Sequence, residues 1–150
     1  MNIISESLEK IIKRISDIIF STIFIVLLSP LFVIIGILIY IEDGKAIFFT
    51  QKRIGLYGKI FYMYKFRSMR INTEHKSTGY YTYKGDKRIT KVGLYLRRSS
   101  LDELPQLINI LRGEMSFAGP RPAIFDEFKF EKIIPENKPL ILKRSLLKPG

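Results

Sequence analysis

Residues Ile25–Ile34, IVLLSPLFVI, place a proline at the centre of the most hydrophobic part of the chain. The apolar run around it extends from Ile18 to Ile41. These 24 residues carry no formal charge and are interrupted only by Ser21, Thr22, Ser29, Pro30, Gly36 and Tyr40. A membrane-spanning helix needs roughly 20 such residues. The run is too long for the core of a secretory signal, and no small-residue cleavage site follows it. A buried helix of a soluble core fits it less well than a membrane segment. As one straight helix it reaches about 36 Å, enough to cross a bilayer. Divided at Ser29-Pro30, it gives two arms, Ile18–Leu28 and Leu31–Ile41, each about 16 Å long and able to reach the midplane.

The flanks distinguish these two forms. Lys10, Lys13 and Arg14 precede the run, and Lys45, Lys52 and Arg53 follow it. Basic residues on short flanks stay on the cytoplasmic side. A single span cannot satisfy both flanks, whereas a re-entrant hairpin can. Pro30 also removes a backbone donor and crowds the Val26 carbonyl, and the Ser29 hydroxyl can re-satisfy a freed group. A re-entrant hairpin is therefore expected, with a kinked spanning helix as the alternative. Before the run, Ile3, Ile4, Leu8, Ile11, Ile12, Ile15, Ile18 and Ile19 recur at spacings of three and four. That apolar stripe suits an amphipathic helix lying in the membrane interface, or equally an ordinary packing face.

The chain has 150 residues and no cysteine, which excludes disulfides and thiolate metal sites. Its one histidine, His75, excludes a multi-histidine site and reads as a solvated loop residue. The net charge is +11, from 25 Lys+Arg against 14 Asp+Glu. Charges cancel up to Asp17, so the whole excess lies beyond the apolar run and points to polyanionic partners.

Beyond the run, residues near Ile47–Arg53 and Lys59–Ser68 read as two strands joined through Gly55-Leu56-Tyr57-Gly58. Asn72 to Lys87 reads as a loop, and RITKVGLYLRRSS holds a short helical turn. SSLDELPQLINILRGEMS reads as a helix with Leu104, Leu107, Ile108 and Leu111 on one face and Gly113 as its stop. Phe125 to Phe130 and Leu140 to Leu147 read as further short helices. The expected fold is mainly α with a small β-hairpin. Residues 1–44 form the interfacial and re-entrant membrane helices, and residues 45–150 form a compact cytoplasmic catalytic domain.

Ser100 and Glu103 have the spacing of a capping box, and acidic side chains at a helix start are favourable on structural grounds alone. An Asp-Glu pair there can also bind a divalent cation or supply a carboxylate nucleophile to phosphorus. Its setting favours phosphate chemistry. Between Lys45 and Arg121 stand 16 basic residues and only five acidic ones, Glu74, Asp86, Asp102, Glu103 and Glu114. Arg97, Arg98, Arg112 and Arg121 surround the pair in sequence and suit bidentate contacts to phosphate, although any one of them alone reads as a solvated surface charge. FAGPRP sets Arg121 between two prolines on a stiff loop. In MYKFRSMR, strand periodicity puts Lys65 and Arg67 on one face.

Taken in order, KRISDIIF, the SP of the run, FFTQKRIG, YKFRSM, LRRSSLDELPQLINILRGEMSFAGPRP and LKPG make the chain resemble the bacterial sugar transferases, the monotopic phosphoglycosyl transferases. The resemblance implies transfer of a phosphosugar from a UDP-sugar to a polyprenyl phosphate such as undecaprenyl phosphate, releasing UMP and initiating surface glycan synthesis. It implies that Asp102 is the nucleophile of a covalent phosphosugar intermediate and that Glu103 helps bind Mg²⁺ with it. Lys65, Arg97 and Arg121 match the family's phosphate-binding residues, and Ser29-Pro30 its re-entrant turn. The implied place is the inner membrane with the catalytic domain on the cytoplasmic face. The implied partners are the donor, the lipid acceptor and membrane lipid, with no nucleic acid and with a homo-oligomer left open. The family usually continues past KPG with an ITGWAQVNGR-like segment. A chain ending at Gly150 is therefore expected to be truncated, and an inactive transferase fragment is one alternative. A non-catalytic membrane-anchored protein that binds anionic lipid or nucleic acid is the other.

Overall fold

The computed structural model describes residues 3–44, 46–70, 86–125 and 146–150. The expected loop around His75, the flanking Lys45 and the expected helices at 126–130 and 140–145 lie outside the described residues. Two helices lead: α1, Ile3–Leu27, and α2, Ser29–Asp43. Strands β1, Phe48–Ile54, and β2, Ile60–Phe66, follow the sequence expectation to within two residues. Then come α3, Lys91–Arg98, a 3-10 turn at Leu101–Glu103, α4, Gln106–Arg112, and a short strand β3, Ala123–Ile124. The sheet has the order β2-β1-β3, with Arg53 opposite Ile124 and Ile54 opposite Ala123 in an antiparallel pair. The architecture is mainly helical with one small sheet. The third strand is the part that the hairpin reading did not contain.

Helix formation breaks at Leu28, whose φ of −90° and ψ of 1° separate α1 from α2. Pro30 then falls in the first turn of α2, where its missing N–H removes no helical bond. The helical stretch from Ser7 to Asp43 is long and apolar enough to enter a membrane.

The chain forms two compact units, each assembled from separated stretches. The first comprises Met1–Leu27, Thr50–Met63 and Gln106–Gly150, and the second Leu28–Phe49 and Tyr64–Pro105.

In the first unit α1 packs on α4, and it does so with its polar side. Lys13 donates to the Ala118 carbonyl at 2.8 Å. The Arg14 guanidinium donates to the carbonyls of Ile110 and Leu111 at 2.7 and 2.8 Å, covering the C-terminal end of α4 where cations are favoured. Buried Asp17 accepts from the Ser116 hydroxyl and the Phe117 N–H. The apolar stripe faces away: Leu8, Ile11, Ile12, Ile15 and Ile19 are exposed, Ile12 to 58%. Among the described residues, then, the α1–α4 junction does not use that stripe. Polar residues within the helix satisfy themselves locally, Ser16 on Ile12, Ser21 on Asp17 and Thr22 on Ile18.

Two expectations for the segment around Asp102 are corrected. Ser100 adopts a left-handed conformation, φ 57° and ψ 17°, and makes no capping hydrogen bond, so no capping box forms. An N-cap needs extended dihedrals there. Regular helix begins only at Gln106, because Pro105 lacks the N–H that an interior position requires. Its buried residues are Leu107, Asn109 and Ile110, while Leu111 is exposed. Fully buried Asn109 takes the place of an apolar contact by donating to the Tyr62 carbonyl at 2.8 Å and to Glu114 at 2.6 Å. Gly113 ends the helix as expected, with φ 85°.

In the same unit the FAGPRP loop is tied down at both ends. Arg53 donates to the Pro122 carbonyl at 2.9 Å, and Gly150 donates to the Pro120 carbonyl at 3.1 Å. Gly119 packs directly on the Lys148 carbonyl, where a Cβ would lie 2.2 Å away.

The second unit buries Ile35, Ile39, Phe66 and Leu96, with Leu31, Phe32, Ile47, Val92, Leu101 and Leu104 around them. Phe66, 1% exposed, meets Phe32 edge-on and stacks on Phe48. At the end of α2 the Glu42 carboxylate accepts from the Lys91 and Val92 N–H groups at 2.7 and 2.8 Å. Together with Thr90, which accepts from Gly93, it satisfies the first donors of α3.

Candidate functional site

The candidate site is a feature of the second unit. Lys65 comes from the last turns of β2, Arg97 from the last turn of α3, and Asp102 and Glu103 from the 3-10 turn that follows. Three local devices bring these elements together. Residues 68–70 run beside 88–90, through Thr90 N–H on the Ser68 carbonyl, Arg70 N–H on the Arg88 carbonyl and a bridge between Met69 and Ile89. Gly93 lets α3 approach this segment, since a Cβ there would stand 2.1 Å from the Ser68 oxygen. The left-handed Ser100 then turns the chain sharply from α3 into the 3-10 turn.

The Lys65 ammonium donates to Glu103 Oε1 at 2.6 Å, in a partly buried ion pair. Arg97 donates through Nε to the Ser68 hydroxyl at 2.8 Å. Asp102 itself is only 9% exposed. Burial pushes its carboxyl above the usual carboxylate range. Lys65 opposes this shift, the Glu103 charge adds to it, and Arg97 and the backbone N–H oppose it. Burial likewise pulls Arg97 below its ordinary range, against the attraction of Asp102 and Asp86. The guanidinium remains charged regardless.

Sequence reasoning placed Lys65, Arg97, Asp102 and Glu103 as site residues, and all four belong to this unit. Ser29 and Pro30 open α2 of the same unit. Arg121 is an exposed residue of the first unit, on the pinned loop before β3. Sequence reasoning missed Ser68, the hydroxyl that holds Arg97. It also missed the pairing of Asp86 with Arg88. Asp86 accepts from the Arg88 backbone and guanidinium, with a shortest distance of 2.6 Å, and the Arg88 hydrogen bond holds its carboxyl below the ordinary range. A D-x-R triplet carries too weak a signal to find that pair.

Among the described residues no group of three or more acidic or histidine side chains gathers to enclose a metal. The adjacent carboxylates of Asp102 and Glu103 are the available donors. They fit Mg²⁺, which usually takes one or two carboxylates and completes its shell with water and substrate phosphate. A buried carboxyl with a raised proton affinity, beside Lys65 and Arg97, has the chemistry to engage a cation or a phosphorus electrophile.

Comparison with known proteins gives a consistent picture. The sequence profile of the bacterial sugar transferases matches residues 8–150. A UDP-glucose:undecaprenyl-phosphate glucose-1-phosphate transferase of Xanthomonas campestris is 43% identical over 139 residues, 92% of this chain and 28% of its own length. A Bacillus subtilis protein, provisionally named an undecaprenyl-phosphate N-acetylgalactosaminyl 1-phosphate transferase, is 44% identical over 126 residues, 83% of this chain and 69% of its own. The exopolysaccharide production protein ExoY of Rhizobium meliloti is 42% identical over 131 residues, 78% of this chain and 58% of its own. The chain thus spans from about a quarter to about two thirds of the length of these relatives.

Proposed function

The chain belongs to the bacterial sugar transferase family, and on that premise we propose that it transfers a sugar 1-phosphate from a UDP-sugar to undecaprenyl phosphate, releasing UMP. The observation that carries this reading is the buried Asp102 carboxyl beside the Lys65–Glu103 pair and Arg97. In the first half-reaction an Asp102 oxygen attacks the phosphoryl group bearing the sugar. An acyl-phosphate P–O bond forms, the P–O bond to UMP breaks, and its electron pair leaves with UMP. In the second, the lipid phosphate oxygen attacks the same phosphorus and the Asp102 carboxylate is restored.

Lys65 and Arg97 neutralise charge on the phosphate oxygens, and Arg121 is a phosphate-binding residue by the family resemblance alone. Asp102 and Glu103 would hold Mg²⁺, which would supply Lewis-acid polarisation of the phosphoryl oxygens. Lys65 swings between Glu103 and the donor phosphate. Burial keeps water from Asp102, so the acyl phosphate waits for the lipid.

Residues 1–44 are the membrane anchor in this reading and 45–150 the cytoplasmic catalytic part, with α1 in the interface and Ser29-Pro30 at a re-entrant turn. Support comes from within the first unit, where Lys13, Arg14 and Asp17, ahead of the apolar run, hydrogen-bond residues 110–118, which follow it. A full crossing would put those partners on opposite faces of the bilayer.

The test is to trap the intermediate with radiolabelled UDP-sugars and locate it by mass spectrometry. The expected adduct sits on Asp102 and disappears in Asp102→Asn. An adduct elsewhere, or salt-sensitive RNA binding without Mg²⁺-dependent UMP release, sinks the proposal.

A further inference from the structure

A crevice of about 440 Å³ lies in the first unit, between α1 and residues 116–118. Lys13, Asp17, Phe20 and Phe24 line it from α1, and Phe117 and Ala118 from the opposite wall. Its surface is apolar, with Lys13 and Asp17 at one end of the lining and aromatic rings along the rest. On α1 these residues recur at four, three and four positions, a single stripe that descends the helix. From Lys13 to Phe24 the stripe is roughly 16 Å long, close to half of a hydrocarbon core about 30 Å thick. Phe24 meets Phe117 edge-on with centroids 6.1 Å apart, and both rings are exposed.

The surroundings of the Lys13 end carry excess positive charge. Asp17 is committed to Ser116 and Phe117. Lys13 uses one donor on the Ala118 carbonyl, which leaves its charge uncompensated. Lys148 stands close by. Burial draws its ammonium below the ordinary range, Arg14 and Lys13 repel it, and Asp17 alone attracts it. Three cations thus surround one carboxylate at the mouth of an apolar crevice that matches one leaflet in depth.

We propose that this crevice binds one anionic phospholipid, its phosphate at Lys13 and Lys148 and one acyl chain along Phe20, Phe24 and Phe117. The occupant is a resident bilayer lipid: the charge at the mouth calls for a phosphodiester, and the crevice runs as deep as a single leaflet. The site rests on the reading of α1 as membrane-embedded but not on the chemistry at Asp102. A lipid held here fills the gap between α1 and the loop after α4.

The full chain reconstituted in nanodiscs of equal parts phosphatidylcholine and phosphatidylglycerol tests this by native mass spectrometry. One phosphatidylglycerol per chain should be retained, in preference to phosphatidylcholine by about tenfold. Lys13→Ala should reduce that preference to near parity, and Lys13→Arg should preserve it. In otherwise unaltered protein, p-benzoylphenylalanine in place of Phe24 should crosslink phosphatidylglycerol. Equal retention of both lipids, or a preference unchanged in Lys13→Ala, overturns the site while leaving the anchor intact. Stoichiometric loss of that crosslink when undecaprenyl phosphate is added before irradiation reassigns the crevice to the acceptor and also overturns the proposal. A chain that stays in the aqueous phase with vesicles overturns both site and anchor.

Discussion

Glu103 accepts a hydrogen bond from the Lys65 ammonium at 2.6 Å, so the residue next to buried Asp102 is held by the end of a strand 38 positions earlier in the chain. The two charges act on Asp102 in opposite directions, Lys65 favouring its ionised form and Glu103 its protonated form.

Opposite pH shifts follow for the two partners. In the proposed reaction the nucleophile must be ionised, so adduct formation should fall as acid protonates Asp102, and its acid limb should lie above the usual carboxylate range. Lys65→Met should move that limb to higher pH and slow adduct formation by on the order of 100-fold. Glu103→Gln should move it to lower pH. Single-turnover UMP release measured across pH reads both shifts.

Stability should respond to pH in the reverse of the usual aspartate sense. The folded Asp102 carboxyl binds its proton more tightly than an unfolded one, so ionising it costs native stability as pH rises through the shifted value. Asp102→Asn should therefore melt higher than the parent at alkaline pH, and the gain should vanish below about pH 4, where both forms are neutral. Thermal melts at several pH values, with detergent held constant, measure this.

Gly93→Ala should be strongly destabilising, although alanine is the better helix former. The added methyl would lie 2.1 Å from a backbone oxygen of Ser68 that cannot rotate away. A loss of about 2 kcal/mol or more is expected. A matching exchange at the exposed Tyr95 of α3, Tyr95→Ala, should be nearly silent in the same melts.

Arg14→Met should uncover the last carbonyls of α4. The charge at that helix end and its two hydrogen bonds are worth about 1–2 kcal/mol, read as a lower melting temperature. Gly113→Ala should produce a similar loss, because it combines a left-handed φ of 85° with a Cβ 3.1 Å from the Arg14 guanidinium.

Single cysteines replacing Glu9 and Tyr57 provide the topology measurement, since the chain contains no cysteine of its own. Both positions are exposed. In inverted membrane vesicles an impermeant maleimide should label both, whereas in right-side-out vesicles it should label neither. Labelling split between the two preparations would show a full crossing.

Local signals in the sequence were reliable wherever local forces decide the outcome. The strands on either side of Gly55 and Gly58 are visible because alternating aromatic and β-branched residues need no distant partner to declare themselves. The stop at Gly113 is visible for the same reason. The S-x-x-E spacing at Ser100 misled because the turn out of α3 requires left-handed backbone there, a constraint set by packing. On α4 the expected face holds at Leu107 but not at exposed Leu111, and Asn109, polar by type, is buried by Tyr62, distant in sequence, and Glu114, five positions on. Most instructive is α1, where the hydrophobic stripe was evident but the docking face is the polar one. Lys13, Arg14 and Asp17 become a contact surface only when residues 110–118 supply their partners. At the candidate site the charged residues were legible by type and spacing, while the hydroxyl of Ser68 that fixes Arg97 was not.

The polarity of α1 also has a practical use. Since its specific contacts run through Lys13, Arg14 and Asp17, the isoleucines at 11, 12, 15 and 19 contribute little to internal packing. Replacing those four with glutamate, glutamine and lysine would create a variant that retains the α1–α4 junction and exposes far less grease to water. Such a variant would separate the scaffolding role of α1 from the bilayer adhesion proposed for it, leaving the apolar run that follows as the remaining anchor.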